Sequence, residues 1–428
     1  MARIAMALVC FAWAHGAEAG DAPSYRLEVG QEFVYRSTSE YRYEAMLGLV
    51  KETIRHSAET RLWVIRKGAD GSVRLCVRHT QTREDEEPET EFGWCDLHPD
   101  GRATLGGILG VSFDPSAIFK PLPPAGATEW QARGNRGERL RLRLGDGGAI
   151  EESVESGRST VGGATCTSRC VRRADGLPER IETAWSKGKK DRRTTTTVLA
   201  ESARGDPAAA ATLDRELASY GELLDRWALE RLRAPDEAAF RSALKRGVER
   251  ARALRKEAES PVLREELERW LAADEQVDEA LVDDWRWQAR RVGKPAPDWT
   301  LDDLDGKRHA LKDYRGKVVV LDFWYAECGP CLMAMPVLKE VAARHKGKVA
   351  LLGMNKDADP EEARRVAAAM ELDTPTLRAR EVVGRYEVVA FPTVFVVDGE
   401  GIVRRVFVGF GPSLALELGA TLDDLLRD

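Results

Sequence analysis

Residues 318 to 331, Val-Val-Val-Leu-Asp-Phe-Trp-Tyr-Ala-Glu-Cys-Gly-Pro-Cys, constrain this chain more than any other stretch. A nearly unbroken apolar run that ends in a Cys-x-x-Cys pair fits a buried strand turning into a helix. On that reading Cys328 stands at the helix N-terminus and Cys331 lies one turn along. Residues three apart share a helix face, so the two sulfurs can close a bond without moving the backbone. Unsatisfied amides and the helix dipole at the first position favour the thiolate, the form that attacks disulfides, which makes Cys328 the attacking thiol. Pro330 falls in the first turn, where a missing N–H costs nothing, and Pro336 is expected to kink the helix.

Two other uses of such a pair fit the residues less well. A zinc site needs a second Cys pair or a His pair at ligand spacing, and neither lies nearby. The six scattered histidines offer no metal cluster elsewhere. A purely structural disulfide three residues wide closes almost no chain and so adds little stability. Redox exchange is the chemistry the spacing suits, and it needs no cofactor because the two thiols carry the electrons.

Further motifs follow in order. Gly293-Lys-Pro-Ala-Pro-Asp-Trp-Thr-Leu precedes an Asp305-Gly306 turn, and Tyr314-Arg-Gly-Lys leads into the Cys-bearing strand. A second strand, Val349 to Met354, is followed by Asn355-Lys-Asp-Ala-Asp-Pro-Glu-Glu, which opens an inserted helix. Then come Tyr386-Glu-Val-Val-Ala-Phe-Pro-Thr, a strand from Val394 to Val397 and the turn Asp398-Gly-Glu-Gly. With these motifs, about the last third of the chain resembles the thioredoxin-fold proteins of the extracytoplasmic TlpA/ResA type.

The resemblance implies roles for particular residues. Pro392 matches the proline that is cis in this fold and lies against the cysteines, and only an X-Pro bond tolerates that geometry cheaply. Pro392, Phe391, Gly329 and Pro330 are expected to shape the substrate groove, with Trp324 packing beside it. Asp322, six residues before Cys328, matches the buried acid of thioredoxins. Between Leu321 and Phe323 its carboxyl should be poorly solvated and raised in pKa, suited to accept the proton of Cys331; the alternative is a strand-end aspartate facing water. There are departures as well. Glu327 stands where thioredoxins have Trp, and Tyr325 replaces a small residue. Gly353 lies where a lysine is expected near the buried acid. A carboxylate beside Cys328 should oppose the thiolate and alter redox poise.

The N-terminus reads as a secretory signal. Met1-Ala-Arg is a basic start, Ile4 to Ala14 an apolar core, and Ala17-Glu-Ala a small-x-small cleavage site, which places a secreted or periplasmic chain after cleavage near Ala19. The core is too short to span a bilayer and no other stretch approaches the ~20 apolar residues required. Cleavage removes Cys10 and leaves Cys76, Cys95, Cys166, Cys170, Cys328 and Cys331. The first four are candidates for two structural disulfides in an exported chain. In one extended strand Cys166 and Cys170 lie ~13 Å apart, so they can pair with each other only across a turn, and otherwise must reach Cys76 and Cys95.

Composition then divides the chain into a signal (1–19), a β-rich domain (22–203), a helical domain (207–291) and a thioredoxin-like domain (292–428). Tyr25-Arg-Leu-Glu-Val, Arg61-Leu-Trp-Val-Ile, Val73-Arg-Leu-Cys-Val and Arg139 to Leu144 alternate apolar with polar, as strands buried on one face do. Lys67-Gly-Ala-Asp-Gly-Ser and Lys187-Gly-Lys-Lys read as hairpin turns, giving a large antiparallel sheet, for which a sandwich and a half-barrel both stay open. Leu213, Leu217, Tyr220, Leu224 and Trp227 form one helical stripe; Phe240, Leu244, Val248 and Ala251 a second; Leu263, Leu267, Trp270 and Leu271 a third; and Val277, Leu281 and Trp285 a fourth. Such stripes suit helix–helix packing, or alternatively a dimer surface. Val292-Gly-Lys-Pro-Ala-Pro reads as a hinge.

The fold class is therefore multidomain: an N-terminal antiparallel β domain, a central helical segment and a C-terminal α/β thioredoxin fold. A net charge of -6 gives no reason to expect nucleic acid. The function expected is an exported thiol-disulfide oxidoreductase that reduces a disulfide-containing client protein and is itself kept reduced by a membrane thiol donor. Two alternatives stay open: an envelope binding protein whose β domain holds a ligand, and a peroxiredoxin-like peroxidase, although no Pro-x-x-x-Thr context surrounds Cys328.

Overall fold

The structure, a computed structural model, describes residues 24–45, 50–84, 86–107, 114–134, 138–156, 163–188 and 191–427. The signal segment, its cleavage site and Cys10 lie outside the described residues. The first half of the chain is β: β1 (Gln31–Ala45), β2 (Val50–Lys67), β3 (Val73–Arg83), β4 (Glu89–Leu97), β5 (Ala103–Gly107), β6 (Glu129–Arg133), β7 (Arg139–Leu144), β8 (Ile150–Ser156), β9 (Thr165–Arg172), β10 (Pro178–Lys187) and β11 (Asp191–Arg204). Among the described residues they form one 11-stranded sheet in the order β5-β4-β3-β2-β1-β11-β10-β9-β8-β7-β6. Each neighbouring pair described is antiparallel, so the sheet is two meanders joined where β1 meets β11.

Period-two alternation gives the sheet an inner and an outer face. Phe33, Tyr35, Leu62, Leu75, Val77, Leu142, Ile150 and Ile181 from both meanders share one buried inner core, capped by Phe119 and Leu122. Tyr25 and Leu27 are buried in that core while Arg26 and Glu28 are exposed, yet the 24–28 segment is not a strand. Its alternation reflects burial; the Tyr25 hydroxyl is fixed on Lys120 instead of a ladder.

The outer face of β2 to β4 is covered by helices α1 (Pro207–Leu232), α2 (Glu237–Glu257) and α3 (Pro261–Ala289). Asp206 and Asp236 cap α1 and α2 by accepting from Ala208 N and Ala239 N. Leu213, Leu217 and Tyr220 pack on Ile65, Cys76 and Phe92 of the sheet and on Leu263 and Leu267 of α3, so these stripes are internal core. The third and fourth stripes belong to one helix of 29 residues. Between Leu271 and Val277 stand Ala-Ala-Asp-Glu-Gln, which holds no Gly or Pro to end a helix.

The C-terminal part comprises β12 (Thr300–Asp302), β13 (Arg308–Ala310), β14 (Val318–Trp324), α4 (Gly329–Arg344), β15 (Val349–Asn355), α5 (Pro360–Ala369), β16 (Thr376–Arg378), β17 (Thr393–Val397), β18 (Val403–Val408) and α6 (Leu414–Arg427). Five strands form a mixed sheet, β16-β15-β14-β17-β18, with β14 in the centre and every one of its residues buried. Val319, Leu321 and Phe323 face one core, while Val318 and Val320 face α4 and α6. Leu229 and Leu232 of α1 join that second core, so the helical segment is packed onto this domain. The 292–297 segment is not a free hinge. Gly293 N donates to Val403 O, Val403 N to Lys294 O and Ala296 N to Gly401 O, which ties the segment along the edge at β18.

Candidate active site

Strand β14 delivers the chain to Tyr325, and a turn closed by Cys328 N donating to Tyr325 O starts α4. Cys328 is the N-cap of α4, and Cys331, three residues on, donates its backbone N–H to the Cys328 sulfur at 3.1 Å. The two sulfurs form a disulfide with Cα atoms 5.2 Å apart. Cys328 is 2% exposed and Cys331 0%, so an incoming sulfur must reach Cys328 past the side chains around it. Pro330 is exposed in the first turn and Gly329 half-buried beside it.

Asp322 has the strand parity of Val318 and Val320 and so lies on the side of β14 that carries α4. Its carboxyl is 4% exposed, one oxygen has no hydrogen-bond partner, and burial alone pushes its pKa up to about 7. Strand β15 places Gly353 directly opposite. A Cβ there would come within 2.9 Å of Trp324 Nε1 and 3.2 Å of Thr376 Oγ1, so there is no room for a lysine to compensate Asp322.

The opposite wall comes from the turn before β17, where the Phe391–Pro392 peptide is cis. Pro392 is buried and Phe391 half-buried. Phe391 meets Tyr325 edge-on, ring centroids 5.4 Å apart, and the Lys356 ammonium sits 4.6 and 4.4 Å from the two rings. Asp357 takes hydrogen bonds from Ala326 N and the Asn355 side chain, and Lys356 N donates to Trp324 O. The 355–357 loop thereby braces the segment that carries Cys328. Trp324 itself is fully buried among Cys328, Cys331 and Met335. It ends a strand covered on both faces, so it supports the cysteines from below and does not line the groove.

The large sheet also reaches this rim. Lys187, the last residue of β10, pairs with Glu327 at 3.0 Å. On the other side Arg133 and Arg139 pair with Glu371 at 3.1 and 2.8 Å, and the Ser156 hydroxyl donates to the same carboxylate.

A model of the AhpC/TSA family matches residues 292–406. Thiol-disulfide oxidoreductase ResA of Geobacillus thermodenitrificans (strain NG80-2) is 36% identical over 121 residues, which cover 28% of this chain and 70% of that protein. The chain belongs to the ResA-like, thioredoxin-fold thiol-disulfide oxidoreductases. Thioredoxin-like protein YneN of Bacillus subtilis (strain 168) is 29% identical over 135 residues, 31% of this chain and 79% of the relative. Among solved structures, the thioredoxin domain of a thiol-disulfide oxidoreductase from Bacteroides vulgatus is 26% identical and covers 31% of this chain and 96% of that one, with a TM-score of 0.28.

In this ResA-like oxidoreductase the sulfurs of Cys76, Cys95, Cys166 and Cys170 are not joined in the two structural bridges expected of them. Register explains it. Leu75 faces Cys95 and Cys76 faces Trp94, so Cys76 points to the helices and Cys95 to the inner core, on opposite sides of one sheet. Cys166 and Cys170 sit on one straight strand, β9, separated in the sheet from β3 and β4 by β2, β1, β11 and β10. Burial raises the pKa of Cys76 and Cys95 well above the usual thiol range and that of Cys170 to about 11.

Sequence reasoning did not find Lys356, Asp357 or Lys187 as parts of this site. Lys356 and Asp357 stand in a run that reads only as a helix opening, and Lys187 in a charged hairpin that reads as a solvated loop. The only available signal was the presence of two aromatics, Tyr325 and Phe391, beside the Cys and Pro motifs, whose ring faces can seat a cation.

Proposed function

We propose that this oxidoreductase is an exported reductant of protein disulfides that works by dithiol exchange through Cys328 and Cys331. The observation that carries the reading is the Cys pair at the start of α4 beside a buried, uncompensated carboxyl. The Cys328 thiolate attacks one sulfur of a client disulfide, forming an enzyme–client disulfide and releasing the client's other sulfur as a thiolate. Asp322 takes the proton of Cys331, whose sulfur attacks Cys328, reforms the enzyme disulfide and frees the client's second thiol. The client leaves reduced and the enzyme oxidised, and a membrane thiol donor returns the enzyme to the dithiol. Phe391, Pro392, Gly329 and Pro330 form the groove in which the client segment lies. No cofactor takes part, since the electron pair stays on sulfur throughout. The chain divides into a signal at 1–19, a β domain at 22–203, a helical domain at 207–291 and the redox domain at 292–428, and it acts in the periplasm or outside the cell. Among the described residues no helix is long and apolar enough to cross a membrane. Equilibrating the Cys328/Cys331 couple with glutathione or dithiothreitol buffers tests the direction: a potential near that of thioredoxin supports a reductant, whereas one among strong oxidants overturns it.

A further inference from the structure

The inner face of the large sheet changes character along β1. Phe33 and Tyr35 are 1% exposed, whereas Tyr41 and Tyr43, further along the same face, are half-exposed. Register places Tyr41 on β1 and Trp185 on β10 on either side of Arg193 of β11, so all three lie in one row on one face. Tyr41 stacks on Tyr43 with centroids 5.5 Å apart and lies 6.2 Å from Trp185. The Arg193 Nε–H and the Thr195 hydroxyl both donate to Ser39 Oγ in the next row, which holds the guanidinium beside the rings. Two residues past Trp185, on the same strand face, Lys187 holds Glu327, the residue before Cys328. The aromatic row therefore runs up to the redox centre.

From this continuity we infer that Tyr41, Tyr43 and Trp185 form a client-holding surface, which receives an extended polypeptide segment with apolar or aromatic side chains beside its disulfide. The inference rests on the proposed reduction of protein disulfides and supplies a role for the β domain. Half-exposed tyrosine and tryptophan with a neighbouring arginine are the side chains that dominate binding at protein interfaces. Ring faces tolerate varied partner sequences, which suits an enzyme whose requirement is a disulfide and not a fixed motif. The Lys187–Glu327 ion pair places the β10 end of this surface next to the residue before Cys328, so a segment lying on the rings is within reach of Cys328.

The test compares a protein disulfide with a small one on the full-length enzyme. In Tyr41→Ala/Trp185→Ala, KM for insulin reduction is expected to rise about tenfold, the loss typical of removing interface aromatics, while the rate with glutathione disulfide stays within about twofold. Trp185→Phe, which keeps a ring, is expected to restore most of the insulin KM and guards against a folding defect. Unchanged insulin kinetics, or an equal fall with both substrates, would overturn the inference. Cys328→Ser tests the underlying reading separately: both activities must vanish, and if insulin reduction survived, the proposed function itself would fail.

Discussion

Cysteines occupy two settings in this molecule, and the difference between them lies in the backbone. Cys76, Cys95 and Cys170 are buried within long strands of the large sheet, where every amide is committed to a neighbouring strand and burial disfavours the thiolate. Cys328 is equally buried, yet it caps a helix and receives the Cys331 amide on its sulfur. Burial alone thus does not make a cysteine inert; what counts is whether unsatisfied amides point at the sulfur.

The sharpest way to break this comparison is to delete each sulfur in turn. Cys328→Ser is expected to reduce disulfide exchange to the uncatalysed rate, while Cys76→Ser leaves the rate unchanged and costs about 1–3 kcal/mol of stability by burying a hydroxyl, read by urea denaturation. Catalysis lost in Cys76→Ser, with the fold intact, would erase the distinction.

Asp322 gives the next largest effect, and it acts on two properties. Its pKa in the folded chain, about 7, lies above the ordinary 3.8, so on raising the pH the unfolded chain loses this proton first. Stability is therefore expected to fall as pH rises from about 4 to about 7 and to level off above. Asp322→Asn removes that fall and should gain on the order of 4 kcal/mol at pH 8 but little at pH 4. The same variant should slow exchange by on the order of 100-fold at neutral pH and abolish a rate inflection near pH 7. A stability profile that is the same in both proteins would show that the carboxyl is solvated.

Smaller effects refine the picture. Gly353→Ala pushes a methyl against Trp324 Nε1 and Thr376, and a cost of about 1–3 kcal/mol is expected, measured as a lowered melting temperature. Lys187→Met should change least, since the ion pair with Glu327 is solvent-exposed and worth less than about 1 kcal/mol. A small rise in the Cys328 pKa is nevertheless expected, followed by thiolate absorbance, because the Glu327 carboxylate then acts on it uncompensated. In a Glu327→Gln background the same change should have no effect on that pKa.

The redox centre was legible because its determinants are local in sequence. A strand buried on both faces, a Cys at the first capping position and a proline two residues later fix β14 and α4 without reference to anything distant. Parts of β2 and β3, strand β7 and the turn that joins β2 to β3 were legible for the same reason, whereas the long strands β1, β10 and β11 were not read. What escaped depends on register and on contacts far apart along the chain. The missing disulfides follow from a one-residue offset between β3 and β4 that composition does not encode. The alternation in Tyr25 to Glu28 looks like a strand because it has a strand's burial period, although the segment is held by side-chain and loop contacts. Lys187 and Glu327 are 140 residues apart, so no local pattern joins them. Trp324 does pack next to Phe391 and the cysteines, but it is fully buried there, which its place in the sequence beside exposed site residues does not reveal.

The central claim is that Cys328 is the sulfur that meets the client. Replacing Cys331 with Ser removes the resolving thiol, so the enzyme–client disulfide should accumulate and survive non-reducing isolation. Peptide mapping of the trapped complex is expected to find the client on Cys328. A client held instead through Cys166 or Cys170, or no trapped client at all, would contradict the account.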